Sequence, residues 1–337
     1  MRSHYPDAEK RDLKWNIYKA GLVADLTVSE WGARSKLKAE ELGLAEKDIP
    51  ELIRLGHKNL MKKEHLAKLR SVGGRAEYFL LANSFAFPFG NARFVPFNLV
   101  EKVIEFMNEC REEHGKNLEE FLQDYDIQRA EMIEEYRIIF ADIFRKMGNG
   151  DSLKMGRVME RLGKKYPTKE ELRKKFNFDF VIFEISAPDF RGVSDREALD
   201  QTQHYMEISS LYKQKANERI DAFLEDVVSH LKAMILKTTS NMKKRLDGDD
   251  LSKNTIKAFI RFADSFKDMD FVGTDLDEIL KAFGNKIKDL EKSELSDEGM
   301  KSRLQSEIAE IEEKATSLDI DTSVGRFLRR IDLGSEE

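Results

Sequence analysis

Cys110, with His114 four residues on, is the nearest approach in this sequence to a nucleophile beside a base. Acyl or thiol chemistry needs such a pair together with a third, orienting group. The stretch Phe106-Met107-Asn108-Glu109-Cys110-Arg111 reads as helix and offers no such group, so a structural cysteine is expected. Metal chemistry would need closely spaced donors. His57 and His65 are eight residues apart, His204 and His230 stand alone on charged stretches, and Glu64-His65 lacks the second histidine of His-Glu-x-x-His. Gly148-Asn149-Gly150 has neither the third glycine nor the Gly-Lys-Ser/Thr of a phosphate loop, and reads as a helix terminator. Asp249-Asp250, and Asp319 with Asp321, sit in turns and the tail, where divalent-ion binding and plain turn chemistry are equally served. The expectation is that the chain is not an enzyme and carries no cofactor or metal.

Basic clusters offer a different chemistry. Residues 56–75 hold His57, Lys58, Lys62, Lys63, Lys68, Arg70 and Arg75 against the single Glu64. Residues 154–175 carry nine Lys and Arg against three Glu, ending in Arg173-Lys174-Lys175. Such patches at 58–75 and 154–175 contact phosphate backbones or acidic protein faces, and they also occur as plain solvated helix faces. For nucleic acid, the candidate residues are Lys62, Lys63, Lys68, Arg70, Arg173, Lys174 and Lys175. The net charge of −6 gives no global attraction to nucleic acid, and no helix-turn-helix, zinc finger or aromatic RNA-binding box is legible. The aromatics from Phe85 to Phe97 fit core packing, with an exposed partner surface as the other reading.

These residues must be positioned by long amphipathic helices. From Arg196 to Leu246 neither proline nor glycine interrupts the chain. Ile220, Phe223, Leu224, Val227, Leu231, Met234, Ile235, Thr238 and Met242 fall in steps of three and four, with Ile208 and Leu211 upstream on the same stripe. One helix of roughly 70 Å is predicted, which must be held by partners or project as a coiled-coil arm. Leu99–Cys110 and 118–147 return to helical period, with Phe121, Leu122, Tyr125, Ile139, Phe140 and Ile143 as expected core. Helices are also predicted after Ser29, over 49–60 behind Asp48 and Pro50, over 64–82 with a kink or close contact at Gly73-Gly74, and at about 252–267, 274–292 and 297–317.

Strand signals are fewer. Leu22–Val28 alternates, Phe85–Val95 flanks a Gly90-Asn91 hairpin turn, and Phe176–Ile185 is the clearest strand, ended by Ala187-Pro188. Pairing of these segments would give four short strands one core face. The fold class expected is α+β and predominantly α-helical. A mixed domain over 1–190 joins helices with a few short antiparallel strands, and 191–337 forms a long-helix bundle or coiled-coil hairpin. With one cysteine among 337 residues, a reducing and hence cytoplasmic setting is expected. No apolar run is long enough to span a membrane.

Leu26-Thr27-Val28-Ser29-Glu30-Trp31-Gly32-Ala33-Arg34-Ser35-Lys36-Leu37 looks like the Trp-x-Gly-Arg-Lys-Lys-Leu opening of one family. Glu41-Leu42-Gly43-Leu44 and Leu55-Gly56-His57-Lys58-Asn59-Leu60 follow, the latter similar to its Leu-Gly-Ser-Lys-x-Leu element. Arg75-Ala76-Glu77, Phe89-Gly90 through Phe94-Val95-Pro96, and Phe178–Ile185 continue in matching order. Over roughly residues 20–190 the chain thus resembles the domain-of-unknown-function family 3150, although Ala33 displaces the Gly-Arg pair and a long charged segment runs from 145 to 175. That family occurs on phage, plasmid and bacterial genomes, often beside genes for a MoxR-type AAA+ ATPase and a von Willebrand factor A-type protein. The resemblance implies a non-enzymatic adaptor or assembly protein in a phage or anti-phage context. A MoxR-type ATPase, or a second copy of the chain, would be its partner. Trp31, Arg34, Lys36, Gly56 and Lys58 are the contact positions to test, and nucleic-acid binding through the basic patches is the alternative.

Overall fold

The computed structural model describes residues 17, 19–146, 152–184, 196–248, 252–274, 276–288, 298–320 and 323. Gly148-Asn149-Gly150, Ala187-Pro188, Asp249-Asp250, Asp321 and the tail at 327–330 lie outside these residues, as do the side chains of His204, Ile208 and Leu211. The architecture is α+β and predominantly helical. In chain order the elements are β1 (Gly21–Ser29), β2 (Arg34–Lys36), β3 (His57–Asn59), α1 (Lys63–Ala82), β4 (Phe85–Ala86), β5 (Arg93–Pro96), α2 (Phe97–Lys146), α3 (Ser152–Gly163), α4 (Lys169–Lys175), β6 (Asn177–Phe183), α5 (Arg196–Asp247), α6 (Lys253–Met269), α7 (Leu276–Lys288) and α8 (Glu298–Ser317).

The expected four strands do share one sheet, in the order β4-β5-β1-β6. β1 runs antiparallel to β5 with Leu22 opposite Val95, and β4 pairs with β5 across the Gly90 turn, Phe85 opposite Phe94. Gly21 is required by the approach of β5, because a β-carbon there would stand 2.3 Å from the Val95 carbonyl oxygen. A smaller two-stranded sheet pairs β2 with β3.

By internal contacts the chain divides into two compact units, each assembled from separated stretches: residues 1–25, 81–103 and 182–337 in the first, 26–80 and 104–181 in the second. In the first unit α5 is not a free arm over its described side chains. α6 and α8 pack on it, and α7 packs on α6 and α8. Ile220, Phe223, Leu224, Val227, Leu231, Ile235 and Met242 are buried as the stripe predicts, while Thr239 rather than Thr238 turns fully inward. The hairpin aromatics are core. Phe87 and Phe94 meet Phe223 edge-on at 5.8 and 5.5 Å, and Phe94 lies 5.0 Å from Phe271.

The second unit corrects four sequence readings. No helix follows Ser29: the chain turns at Gly32 and Ala33, Ala33 takes a left-handed φ of 48°, and β2 begins at once. The predicted helix over 49–60 is absent: after a short 3-10 turn at Glu46–Asp48 the chain is irregular until β3. Leu52 and Ile53 there are exposed, at 99% and 56%, while Leu60 and Met61 of the same spacing are buried without a helix, and pairing with β2 decides the conformation of 57–59 instead. α2 is one helix of 50 residues where two were expected. The charged break at 111–117 is bridged because its residues have partners. Arg111 donates to the Phe180 carbonyl at 3.0 Å, and buried His114 packs 5.8 Å from Phe178. Ile139, expected in the core, is half exposed, whereas Phe121, Leu122, Tyr125 and Phe140 are buried. The close contact expected at Gly73-Gly74 is real, with Val28 Cγ1 3.0 Å from where a Gly73 β-carbon would lie.

Burial holds the His114 imidazole below its ordinary pKa of 6.5, and its Nε2 has no hydrogen-bond partner. An unfolded chain takes up the proton near 6.5 and the folded one only at lower pH. The penalty is therefore absent above 6.5 and grows as pH falls beneath it. Denaturation midpoints at about pH 7.5 and about pH 5.5 should differ less in His114→Leu than in the parent, and an equal difference would contradict this account.

Candidate functional site

The contact positions read from the sequence converge on the small sheet of the second unit. In β2–β3 Arg34 lies opposite Asn59, Ser35 opposite Lys58 and Lys36 opposite His57. Backbone bonds lock both ends: Leu60 N–H donates to Ala33 O at 2.7 Å, and Leu37 N–H to Gly56 O at 3.0 Å. Alternation sends Arg34 and Lys36 to one face, exposed, and Lys58 to the interior. There Lys58 donates to Glu41, and both side chains are nearly sealed from solvent, at 5% and 8% exposed. Trp31 is buried, edge-on to Tyr125 at 6.1 Å. Gly56 serves through its carbonyl.

A second basic element meets β2. α3 ends at Gly163, Lys164-Lys165-Tyr166-Pro167 turns the chain, and Thr168 caps α4 with its hydroxyl on Glu171 N–H at 3.2 Å, while Glu171 accepts Thr168 N–H at 2.8 Å. This capping box fixes where α4 begins. Tyr125 pins the turn by donating to Pro167 O at 2.8 Å. In α4 Leu172 is buried, and the helical period then places Glu171, Lys174 and Lys175 on one side.

The result is a groove of about 730 Å³ walled by Trp31, Arg34, Ser35, Lys36 and Leu60 on one side and Lys164 to Pro167, Glu171, Lys174 and Lys175 on the other. Six cations face a single carboxylate there, and that carboxylate is engaged in the α4 cap. Lys164 pairs with Glu160 at 2.6 Å. Arg34, Lys36, Lys165, Lys174 and Lys175 are exposed and have no ion-pair partner among the described residues. Tyr166 lies in the wall, 5% exposed, with its hydroxyl buried and unpaired. Burial pushes that phenol far above its ordinary range, so it stays a donor at any physiological pH.

The other sequence candidates behave differently. Lys62 pairs with Glu135, Lys68 with Glu120 at 2.8 Å, Arg70 with Glu30 at 3.3 Å and Arg75 with Glu113. Donating to Glu135 and Glu120 raises the pKa values of Lys62 and Lys68 respectively. Arg173, although adjacent to Lys174, points to the other side of α4 and grips Glu119 at 2.6 Å. Lys63 is exposed at the start of α1, outside the groove. The groove therefore unites Arg34 and Lys36, read as protein contacts, with Lys174 and Lys175, read as nucleic-acid contacts. Sequence reading did not single out Lys164, Lys165 and Tyr166. The signal for them was the Thr168-x-x-Glu171 box, which marks a tight turn between two lysine doublets.

Cys110 is buried and free, and burial raises its thiol pKa, the reverse of an activated nucleophile. Among the described residues no cluster of His, Cys, Asp and Glu could hold a metal ion, and no helix is long and apolar enough to cross a membrane. Compared with known proteins, residues 19–299 match the model of a family described as protein of unknown function, DUF3150. No curated protein and no solved structure matches the chain.

Proposed function

The chain belongs to the domain-of-unknown-function family 3150, and on that premise we propose that it is a non-enzymatic adaptor or assembly protein whose recognition surface is the basic groove of the second unit. One observation carries this reading. Lys62, Lys68, Arg70, Arg75, Arg161 and Arg173 are matched to carboxylates, while Arg34, Lys36, Lys165, Lys174 and Lys175 have no ion-pair partner among the described residues and gather in one concavity. Exposed matched pairs contribute little to binding or stability. Unmatched cations gathered in a groove attract an anionic partner and speed its encounter. Trp31, Gly56 and Lys58 act in this scheme as the support that holds β2 and β3 in register, and Arg34 and Lys36 as the contacts.

The setting is the cytoplasm, in keeping with the free, buried Cys110. A MoxR-type AAA+ ATPase is the first protein partner to seek, on the family resemblance. The test is co-purification of the tagged protein from its native host after nuclease treatment, beside an Arg34→Glu/Lys36→Glu variant. The reading expects a partner, an AAA+ ATPase foremost, retained by the parent and lost from the variant while its melting temperature is unchanged. A partner retained equally by both would overturn the groove as the contact surface.

A further inference from the structure

Resting on the reading of the groove as a recognition surface, we propose that its occupant is the sugar–phosphate backbone of a single nucleic-acid strand, gripped without regard to base sequence. Three features select this ligand among anions. First is charge density: five cations without an ion-pair partner among the described residues, and a sixth paired at its edge, share about 730 Å³. A strand presents a phosphate at every nucleotide.

Second is the donor set. Five of the six cations are lysines, flexible point charges that bind phosphate oxygens without a fixed bidentate geometry.

Third is what the groove withholds. Trp31 and Tyr166 are buried, packed against Tyr125 and beneath Arg129 respectively, so neither ring offers a face for base stacking. Recognition then falls on the backbone alone. A duplex is a stiff rod and would rest on the rim, whereas a single strand bends into a positively charged cleft.

The test uses the full chain with labelled oligothymidylate and a mixed-sequence strand, read by fluorescence anisotropy. Duplex DNA, inorganic tripolyphosphate and polyglutamate serve as competitors. Both strands should bind alike, with affinity falling about 50-fold between about 50 and 200 mM salt if four phosphates are contacted. Lys174→Ala/Lys175→Ala should weaken binding at least about tenfold and lower the salt slope by roughly 1.4. Arg34→Gln/Lys36→Gln is the second variant, on the opposite wall, in case changes in α4 disturb its fold. Lys62→Ala/Lys68→Ala should change nothing.

No strand binding at low salt overturns the proposal. So does competition by polyglutamate or tripolyphosphate as strong as by unlabelled strand, or equal loss in the Lys62/Lys68 control. A protein partner that the Arg34→Glu/Lys36→Glu variant loses, with no strand bound by the parent, would leave the adaptor reading standing and remove this inference alone.

Discussion

Lys58→Ala should destabilise the second unit by about 3–5 kcal/mol, far more than any other lysine in the basic stretch at 58–75. The reason is the carboxylate left behind. Glu41 is buried, and beyond Lys58 it is held by the Lys38 backbone N–H at 3.0 Å. One neutral donor does not replace the lost hydration of a buried charge. The pair itself need not stabilise the fold relative to apolar residues, so Lys58→Met combined with Glu41→Gln should recover most of the loss. The glutamine keeps an acceptor for Lys38 N–H. Urea denaturation followed by hydrogen exchange in the core around Leu66 and Phe140 would measure this. A loss of less than about 1 kcal/mol in Lys58→Ala, the range of an exposed pair, would mean that the pair is open to solvent. The result bears on function too, because a Lys58 variant that loses a partner would do so by unfolding β2–β3.

Leu231→Ala should cost about 2–5 kcal/mol in the first unit. Leu231 is fully buried on α5, the helix on which α8 and α6 pack, whereas Met234, one turn on, is partly exposed. Met234→Ala is expected to cost under half as much. Were α5 a projecting arm, truncating Leu231 would leave the protection of α8 amides unchanged. In the packed arrangement that protection falls together with overall stability, and hydrogen exchange over Leu304 to Ile311 distinguishes the two.

Local pattern made much of this legible. The three-and-four spacing from Ile220 to Met242 gave α5 within a residue or two of its end, and the alternation in Leu22–Val28 and Phe176–Ile185 gave β1 and β6. The Gly90-Asn91 turn gave the hairpin, and its register, Phe85 opposite Phe94, was not legible from the turn alone. What sequence did not give was decided by distant partners. Residues 57–59 are strand because β2 lies beside them; of the apolar spacing Ile49, Leu52, Ile53, Leu60 and Met61, Leu60 and Met61 reach the core, while Leu52 and Ile53 stay exposed. The charged stretch around His114 stays helical because β6 supplies contacts that no window of sequence contains.

The site divides in the same way. Arg34 and Lys36 were visible as motif residues, but Lys58, equally polar, is interior because the strand alternates and Glu41 waits there. Arg173 and Lys174 are neighbours in sequence and opposites on α4. The helical period could have separated them once Leu172 was known to be buried. That the lysine doublets at 164–165 and 174–175 would face β2 depended on tertiary packing of the α3–α4 turn, which Tyr125 secures.

The central claim is that the cations lining the groove, and not those matched to carboxylates, hold whatever this protein carries. Lysine labelling with mass spectrometry tests it most directly, on protein purified gently from its host and on the same protein stripped at high salt. Lys36, Lys165, Lys174 and Lys175 should gain reactivity on stripping, while Lys62 and Lys68 stay as they were. Equal reactivity of the groove lysines before and after, with the bound material demonstrably removed, would contradict the account.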